Sequence, residues 1–476
     1  MLGVTHSAST TGSWHELLGA KYLGTSVVLA GGVALYATNE FLTISLLPNT
    51  VAEIGGSRLY AWVTTLYLVG SVVAATMVNP LLLRVGARSS YLMGLAVFGV
   101  ASLVCGAAPN MEILIAGRAL QGVAGGLLAG LGYAVINAAL PHSLWTRSAA
   151  LVSAMWGVAT VVGPATGGLF AQFGLWRWAF VVMAILTALM AMLVPIALAA
   201  GRVDSSAATP VMKVPVWSLV LMGAAALAVS VAQIPHNITA TFCLLTAGIV
   251  LVGSFVVVDK RMHAAVLPPS VFGPGPLKWI YLTMGVLVSG AMVNAYVPLF
   301  GQRLAHLTPV AAGFLGAALA VGWTVSEIVS ASLENPRAIG RVIAAAPVVV
   351  ASGLTLGALT QRDNAPAGIV ALWALGLLVA GIGIGMAWPH LSVRAMDSVN
   401  DPAEGGAAAA AINTVQLISA AFGAGLAGVV VNTAEGGDVM AARWLFTVFT
   451  CMSAAGVICG YKASYGATRR NRRSAR

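Results

Sequence analysis

Long apolar segments follow one another along the whole chain and are separated by short polar loops. Each segment is about 20 residues long or more, which is the length of helix that crosses the hydrocarbon core of a bilayer. A transmembrane barrel would instead show shorter segments in which apolar and polar residues alternate. The pattern therefore predicts an all-α polytopic membrane protein with fourteen transmembrane helices. The predicted spans are residues 22–47, 59–82, 90–107, 112–139, 149–172, 178–199, 216–234, 239–258, 279–301, 309–332, 340–360, 367–391, 406–432 and 440–461.

Polar segments divide these spans into three groups. The first six form a predicted N-terminal bundle, residues 1–200, which is followed by a predicted cytoplasmic linker, residues 201–215. Residues 216–258 carry a closely spaced pair of spans, which we interpret as an inserted hairpin. Residues 259–464 hold six more spans in a predicted C-terminal bundle, and residues 465–476 are a basic tail. A short basic loop at equivalent places in each bundle indicates an internal repeat, which is typical of secondary transporters that bind substrate between two halves.

Composition and charge set the class of protein and its orientation. With 59% hydrophobic and 8% charged residues, the chain is too apolar for a water-soluble globule. Basic residues remain on the cytoplasmic side of short loops, and eighteen of the 24 Lys and Arg residues fall on the face that holds both predicted termini, against five on the other. We therefore predict a multi-pass protein of the cell (inner or plasma) membrane with cytoplasmic N- and C-termini. Because the net charge of +10 is dispersed through loops, we expect contact with the lipid bilayer and no nucleic-acid partner.

Two charged residues lie inside predicted spans of the first bundle. Glu40 is in the first span and Arg118 in the fourth, where a charge costs about 2.5 to 3.5 kcal/mol on insertion scales. At 1.5 Å per residue, Glu40 lies about 10 Å and Arg118 about 9 Å below the outer end of its span. Pairing favours a charged carboxylate and burial disfavours it, so a conformational change that alters either can load or release a proton. We predict that Glu40 and Arg118 couple the protein to protons; the alternative is a structural ion pair.

Further polar residues inside spans are candidates for coupling or substrate binding. Glu327 lies about five residues from the cytoplasmic end of the tenth span, so it is either a second proton-coupling residue or a solvated one that extends to water. Amides and aromatics in spans can line a central cavity, although most such residues bond to neighbouring helices. The candidate substrate-binding residues are Asn39, Gln121, Tyr133, Trp156, Asn294, Gln302, Asn413 and Gln416.

Motifs in the first five spans carry a resemblance to a known family. Glu40 stands eight positions before Pro48, and Arg118 is followed by Gln121-Gly122. The fifth span contains paired small residues, Gly163-Pro164 and Gly167-Gly168. On these residues the chain resembles the major facilitator superfamily, specifically its drug and proton antiporters. The extra pair of spans is similar to the fourteen-helix exporters of that family.

The resemblance implies a fold and a set of moving parts. The fold is two six-helix bundles that alternate between inward-open and outward-open states, here with the inserted hairpin. The conformational residues that it implies are Arg84, Gly86 and Arg88 of the loop between the second and third spans, together with Gly163, Pro164, Gly167 and Gly168. One part of the pattern differs, because Asn79 and Leu83 stand where the family usually has glycine and aspartate. We therefore expect altered gating at this loop.

These observations favour a proton-coupled exporter of small apolar or amphipathic molecules such as drugs. We find no phosphate-binding loop with lysine, no nucleophile with a base, and no metal-ligand spacing, so we expect no enzyme activity and no cofactor beyond the proton gradient. The expected partners are lipid, a small lipophilic substrate and protons, and we expect a monomer. Two alternatives remain open: a lipid, glycolipid or metabolite transporter of the same fold, and a membrane sensor or scaffold that binds ligand without transport.

Overall fold

The computed structural model describes residues 13–198, 216–232, 238–262, 265–399 and 405–474. In these ranges the regular secondary structure is helical, with no β-strand, which confirms the prediction of an all-α protein. The predicted linker, residues 201–215, and the end of the basic tail lie outside the described residues.

Residues 13–198, the first described range, form seven α-helices. They are α1 (Trp14–Leu17), α2 (Leu23–Ile54), α3 (Tyr60–Gly106), α4 (Met111–Ala134), α5 (Ile136–Ala139), α6 (Trp145–Gln172) and α7 (Trp176–Ala197), with 3-10 turns at Ser57–Leu59 and His142–Leu144. Helix α3 contains both the second and third predicted spans. It changes direction at Gly86, whose φ of 79° is in the left-handed region that glycine adopts without strain.

The described residues from 216 onward form nine α-helices. They are α8 (Val216–Val231), α9 (Ile238–Arg261), α10 (Leu277–Ala291), α11 (Val297–Ala305), α12 (Pro309–Ser330), α13 (Pro336–Thr360), α14 (Ala367–Asp397), α15 (Gly405–Thr433) and α16 (Gly437–Ser474), with 3-10 turns at Pro269–Phe272 and Met292–Ala295. The ninth predicted span is therefore not one helix: a 3-10 turn separates α10 from α11.

Twelve helical segments in the described ranges are long and apolar enough to cross a membrane, and Val216–Val229 is a shorter apolar helix. Several helices begin at side-chain caps, which satisfy the free N–H groups of a first turn. Asn110 accepts a hydrogen bond from the Ile113 amide at 3.0 Å at the start of α4, and Asn335 accepts one from the Arg337 amide at 2.9 Å at the start of α13. The sequence therefore specifies where several helices begin as well as how long their apolar segments are.

The long helices pack as two bundles with the hairpin α8–α9 at one side. In the first bundle α2 packs on α4, α6 and α7, and α3 packs on α4 and α7; in the second, α10 packs on α15 and α16, α12 on α14, and α13 on α14 and α16. The bundles meet along two seams, one between α3 and α15 and one between α6 and α12. We call the end of the molecule where α2 begins the proximal face and the end where α2 stops the distal face.

The two bundles touch each other at the distal face. The ring centroids of Tyr60 and Tyr296 are 4.7 Å apart across the bundles. Asn432 Nδ2 donates to the Arg58 carbonyl at 2.9 Å. These contacts join the start of α3 to the α10–α11 segment and to the end of α15, so the bundles are held together at this face.

Candidate proton and substrate site

A polar network surrounds Arg118 in the interior of the first bundle. The Arg118 side chain on α4 is 1% exposed. Its Nη1 donates to Asn39 Oδ1 on α2 and, at 2.9 Å, to Gln121 Oε1, while its Nε donates to the Val63 carbonyl at 3.4 Å. Gln121 Nε2 in turn donates to Ser102 Oγ at 2.9 Å on the second half of α3. The buried cation is therefore held by neutral oxygen atoms from three helices.

Aromatic rings form one wall of this network. The Arg118 guanidinium carbon lies 3.9 Å from the centroid of the Tyr67 ring, a cation–π geometry. Tyr36 stacks on Tyr67 with centroids 5.3 Å apart and an interplanar angle of 11°, and Trp156 meets Tyr36 edge-on at 5.6 Å. The Tyr67 hydroxyl donates to the Tyr36 carbonyl at 2.8 Å. These contacts tie α2, α3, α4 and α6 together around the guanidinium.

Small residues on α4 allow these rings to come so close. Gly122 packs directly on the backbone of Tyr67, and a Cβ added at Gly125 would lie 2.5 Å from Tyr36 Cδ2. Because a side chain at either position would push α4 away, the glycines set the distance between Arg118 and the aromatic wall.

Glu40 lies beside this network but outside its hydrogen bonds. Its charge acts on Arg118, Tyr36 and Tyr67, so it is within electrostatic reach of all three. Among the described residues no group hydrogen-bonds Glu40, and the ion pairs within 4.0 Å are elsewhere in the molecule. The structure thus brings Glu40 and Arg118 together, as the depth argument predicted, but Arg118 binds the neighbouring Asn39 instead.

Two polar groups next to Glu40 are buried without a described partner. They are the Tyr36 hydroxyl and Asn39 Nδ2. Both are donors that a carboxylate or a substrate acceptor could satisfy after a side-chain rotation. An interior with a half-buried carboxylate, a guanidinium bonded through Nε and Nη1, and two available donors can exchange protons and hydrogen-bond a ligand. It offers no bound nucleophile, and the described residues contain no group of three or more His, Cys, Asp or Glu that could hold a metal ion.

The glycine pairs of α6 connect the Glu40 helix to the second bundle. Gly163 and Gly167 pack against the backbone of α2 at Phe41 and Leu42, directly after Glu40. A Cβ added at Gly168 would lie 2.6 Å from Val310 Cα on α12. Gly167 and Gly168 are about 100° apart around the axis of α6, so two different sides of this helix contact the helix that carries Glu40 and a helix of the other bundle. A change at the seam can reach Glu40 through this one helix.

Pro164 takes part in the same contact between α6 and α12, since its carbonyl would lie 3.1 Å from a Cβ added at Gly313 on α12.

In the loop that joins the two halves of α3, Arg84 is exposed, Arg88 is half-buried, and Ser90 Oγ donates to the Gly86 carbonyl at 2.7 Å. The side chains of Asn79 and Leu83 are outside the described part of the structure.

Glu327 belongs to a separate group of residues in the second bundle. Trp323 Nε1 donates to Glu327 Oε2 at 3.0 Å, one turn away on α12. Trp388 on α14 lies 5.6 Å from Trp323, with the ring planes tilted by 56°. Glu327 is half-buried. It therefore has an indole partner, a contact that favours neither of the two sequence alternatives alone.

The remaining candidates lie in different places. Asn294 is in the 3-10 turn between α10 and α11, and Gln302 is on α11; each has a buried polar atom, Asn294 Oδ1 and Gln302 Nε2, with no described partner. Tyr133 is 43% exposed near the proximal end of α4, and Gln416 is half-buried on α15. The side chain of Asn413 is outside the described residues.

Sequence reasoning missed the aromatic half of the site. Tyr36 and Tyr67 are within long apolar runs, where a tyrosine is not distinguished from an ordinary core residue. Tyr36 stands four positions before Glu40 and therefore on the same helix face, which is a signal that could have identified it. Tyr60 and Tyr296, whose buried hydroxyls have no described partner at the distal contact, were missed for the same reason.

The paired bundles, the membrane-spanning helices and the charged residues in the bundle interior define a multi-pass membrane transporter. The sequence profile of the Major Facilitator Superfamily matches residues 29–424. The chain belongs to this superfamily, and it is a transporter and not an enzyme. The resemblance found in its motifs is thereby confirmed.

Individual relatives are consistent with that assignment. The chain is 75% identical over 473 residues to a probable multidrug-efflux transporter of Mycobacterium tuberculosis strain H37Rv, covering 99% of each chain. It is 26% identical over 400 residues to the multidrug transporter protein MdtP of Bacillus subtilis, covering 82% of this chain and 72% of that protein. Among solved structures, the nucleoside transporter NupG superposes with a TM-score of 0.65 at 12% identity, over 93% of this chain and 98% of that one. This last likeness shows the fold.

Proposed function

We propose that the protein is a proton-coupled antiporter that exports small apolar or amphipathic molecules such as drugs by alternating access. The 75% identical relative is described as a multidrug-efflux transporter, which supports the export of drugs. The observation that supports proton coupling is Glu40, an embedded carboxylate beside a buried arginine whose Nε and Nη1 already donate to other groups.

The orientation and the number of spans are part of the proposal. We propose fourteen transmembrane helices, counting the two halves of α3, α10 together with α11, and the hairpin α8–α9. The proximal face then carries the basic residues Arg84 and Arg88, near the bend of α3, and Arg394, in the last turn of α14, which supports a cytoplasmic proximal face with both termini inside. The protein would act as a monomer in the cell membrane, with the proton gradient as its energy source and no cofactor.

The arrangement around Arg118 supports a specific proton step. The bundles are held together at the distal face, which is the external face in this orientation. In this form Arg118 binds Asn39 and Gln121, and Glu40 makes no described hydrogen bond or close ion pair, so no described contact holds its carboxyl in the charged form. We infer that Glu40 takes a proton from outside, that the neutral residue permits return to the inward state, and that release of the proton inside lets the next substrate bind.

A flux measurement in proteoliposomes tests the proposal. Vesicles with wild-type protein are loaded with a pH-sensitive dye and given tetraphenylphosphonium, ethidium, a neutral drug or labelled lipid. We expect substrate-dependent proton movement in wild type and its loss in Glu40→Gln. The matched control is Glu53→Gln, which removes a carboxylate of the same helix at the exposed distal end, where it pairs with Arg177. Unchanged coupled transport by Glu40→Gln would refute the mechanism, and lipid transfer without proton movement would favour a lipid transporter.

A further inference from the structure

A cavity of about 370 Å³ lies between the two bundles at the distal face. One wall is the last part of α2 with the turn that follows it, and the other wall is α11. Its volume is within the range of small-molecule sites, about 300 to 1,000 Å³. Pro48, the lining residue on α2 that is nearest to Glu40, is about 12 Å further along the helix. The cavity is therefore separate from the network around Arg118.

A glycine turn keeps the first wall open. Gly55 and Gly56 follow α2 with φ of 76° and 77°, in the left-handed region that glycine adopts without strain. A Cβ added at Gly55 would have no described atom within 4 Å, whereas Gly56 packs against the side chain of Met111. The turn therefore directs no side chain into this part of the cavity.

One side of the cavity is apolar and tightly packed. Pro48 and Val51 of α2 and Leu299 of α11 border it, and all three are buried. Val51 and Leu299 belong to the same hydrophobic core, so this surface is fixed by its packing. It suits the carbon body of a small molecule.

The other side carries hydrogen-bond donors. Arg303, in the last turn of α11, donates from Nη1 to Asp438 Oδ1 at 2.9 Å, but a guanidinium has five N–H groups, so others remain for a ligand. Gln302 Nε2 is buried with no described partner, and rotation of the amide would present it to the cavity. Ser57 adds a hydroxyl from the opposite wall. None of the residues that line the cavity is acidic.

The charges around the cavity favour an acceptor. The carbonyl end of α2 borders it with a partial negative charge of about one half, which opposes an anion. The guanidinium of Arg303 carries a full charge, and its pair with Asp438 is weak because the two side chains are 47% and 40% exposed. A planar carboxylate also matches the fork of an arginine and can accept two parallel hydrogen bonds from it.

We propose that this cavity binds a small amphipathic carboxylate, with its apolar body against Pro48, Val51 and Leu299 and its oxygens on Arg303 and Gln302. Because its walls belong to different bundles, the molecule contacts both bundles at once. This site goes beyond the proposed export of apolar molecules: its ligand is an anion, and it binds at the distal face, apart from Glu40 and Arg118.

Equilibrium dialysis with a matched pair of ligands tests the chemistry. Full-length wild-type protein in detergent is dialysed against radiolabelled 1-naphthaleneacetate or 1-naphthaleneacetamide, which have nearly the same shape and differ in the charge of the head group. Since hydrogen bonds to a charged group are the stronger ones, we expect the carboxylate to bind at least about tenfold more tightly than the amide. Equal affinities, or no saturable binding of the carboxylate, would overturn the proposal.

Substitutions on each wall locate the binding. Arg303→Gln removes the guanidinium of α11, and Ala52→Trp, at an exposed lining position of α2, fills the cavity; each should weaken carboxylate binding at least about tenfold. The matched control is Arg362→Gln, which removes an exposed arginine from the loop between α13 and α14 and should bind like wild type.

Two results with these variants would also overturn the proposal. They are unchanged binding in Ala52→Trp, and an equal loss in Arg303→Gln and Arg362→Gln. Gel filtration of each variant verifies that it is folded and monodisperse. The assay contains no transported substrate and no proton gradient, so failure of the antiport mechanism would leave its result unaffected.

Discussion

Adjacent residues of α2 should separate stability from coupling. Asn39 accepts a hydrogen bond from the Arg118 guanidinium, whereas Glu40 has no described hydrogen bond. We predict that Asn39→Ala destabilises the protein while leaving proton coupling in place, and that Glu40→Gln abolishes coupling while leaving stability nearly unchanged. Two neighbouring substitutions on one helix are thus expected to have opposite effects in two assays.

The size of the stability effect follows from the contacts. A hydrogen bond to a charged group contributes about 1.5 to 3 kcal/mol, and Asn39→Ala removes one such bond from a buried cation. Asn39 Nδ2 has no described partner, so its loss adds no further penalty. We therefore expect Asn39→Ala to lower the free energy of unfolding by about 2 kcal/mol. Glu40→Gln keeps the size of the side chain and breaks no described bond, so its effect should be below about 0.5 kcal/mol.

Both quantities can be measured on the same purified proteins. Unfolding is followed by tryptophan fluorescence during titration with a denaturing detergent, and coupling by internal pH in proteoliposomes. Equal destabilisation by the two variants would mean that Glu40 makes a strong contact absent from this arrangement. The reasoning would be refuted if a folded Asn39→Ala protein lost proton coupling while Glu40→Gln retained it. That outcome would show that Glu40 does not carry the proton.

Three further predictions concern other parts of the molecule. Gly167→Val should cost about 3 kcal/mol, because the new side chain would meet the backbone of α2; the yield of monodisperse protein would fall, whereas Gly253→Val, with no neighbour within 4 Å of an added Cβ, would behave like wild type. Asp259→Ala should loosen the hairpin by removing the acceptor of the Val266 and Leu267 amides, at a cost on the order of 3 kcal/mol that titration with a denaturing detergent would measure. Glu327→Gln keeps an acceptor for Trp323, so it should fold normally; fewer protons per exported substrate in a flux assay would identify a second coupling site, and an unchanged ratio would leave Glu327 structural.

Apolar length was sufficient to predict the helices but not their breaks. A run of about 20 apolar residues in lipid has no alternative to a helix that satisfies its backbone internally, so spans such as 112–139 and 367–391 were predicted close to α4 and α14. The break between α10 and α11 was not predicted. Met292–Ala295 contains one polar residue, Asn294, which does not by itself end a helix, and Pro298 follows within the first turn of α11, so the turn depends on packing that apolarity does not reveal.

The site was predictable to the level of helices but not of contacts. The depth of each residue within its predicted span was the basis for expecting Glu40 and Arg118 to lie close together. It could not decide which of two neighbouring side chains on α2 would meet the guanidinium, because Asn39 and Glu40 differ by about 100° around the helix axis. The choice depends on how closely α4 approaches α2, where Gly125 lies against the Tyr36 ring. A one-residue difference in pairing therefore arises from packing between helices that the sequence pattern does not specify.

Whether Arg118 binds Asn39 or pairs with Glu40 affects how Glu40 can carry a proton. If Arg118 paired directly with Glu40 in every state, the pair would hold the carboxylate in its charged form and oppose proton uptake. Bonds from its Nη1 to Asn39 and Gln121 give the arginine neutral oxygen partners, which reduces the cost of burying its charge without using Glu40. Glu40 then still responds to the arginine through space and remains available to a proton. The same α2 segment is held by α6, a different side of which contacts α12, so motion of the second bundle can change the surroundings of Glu40 directly.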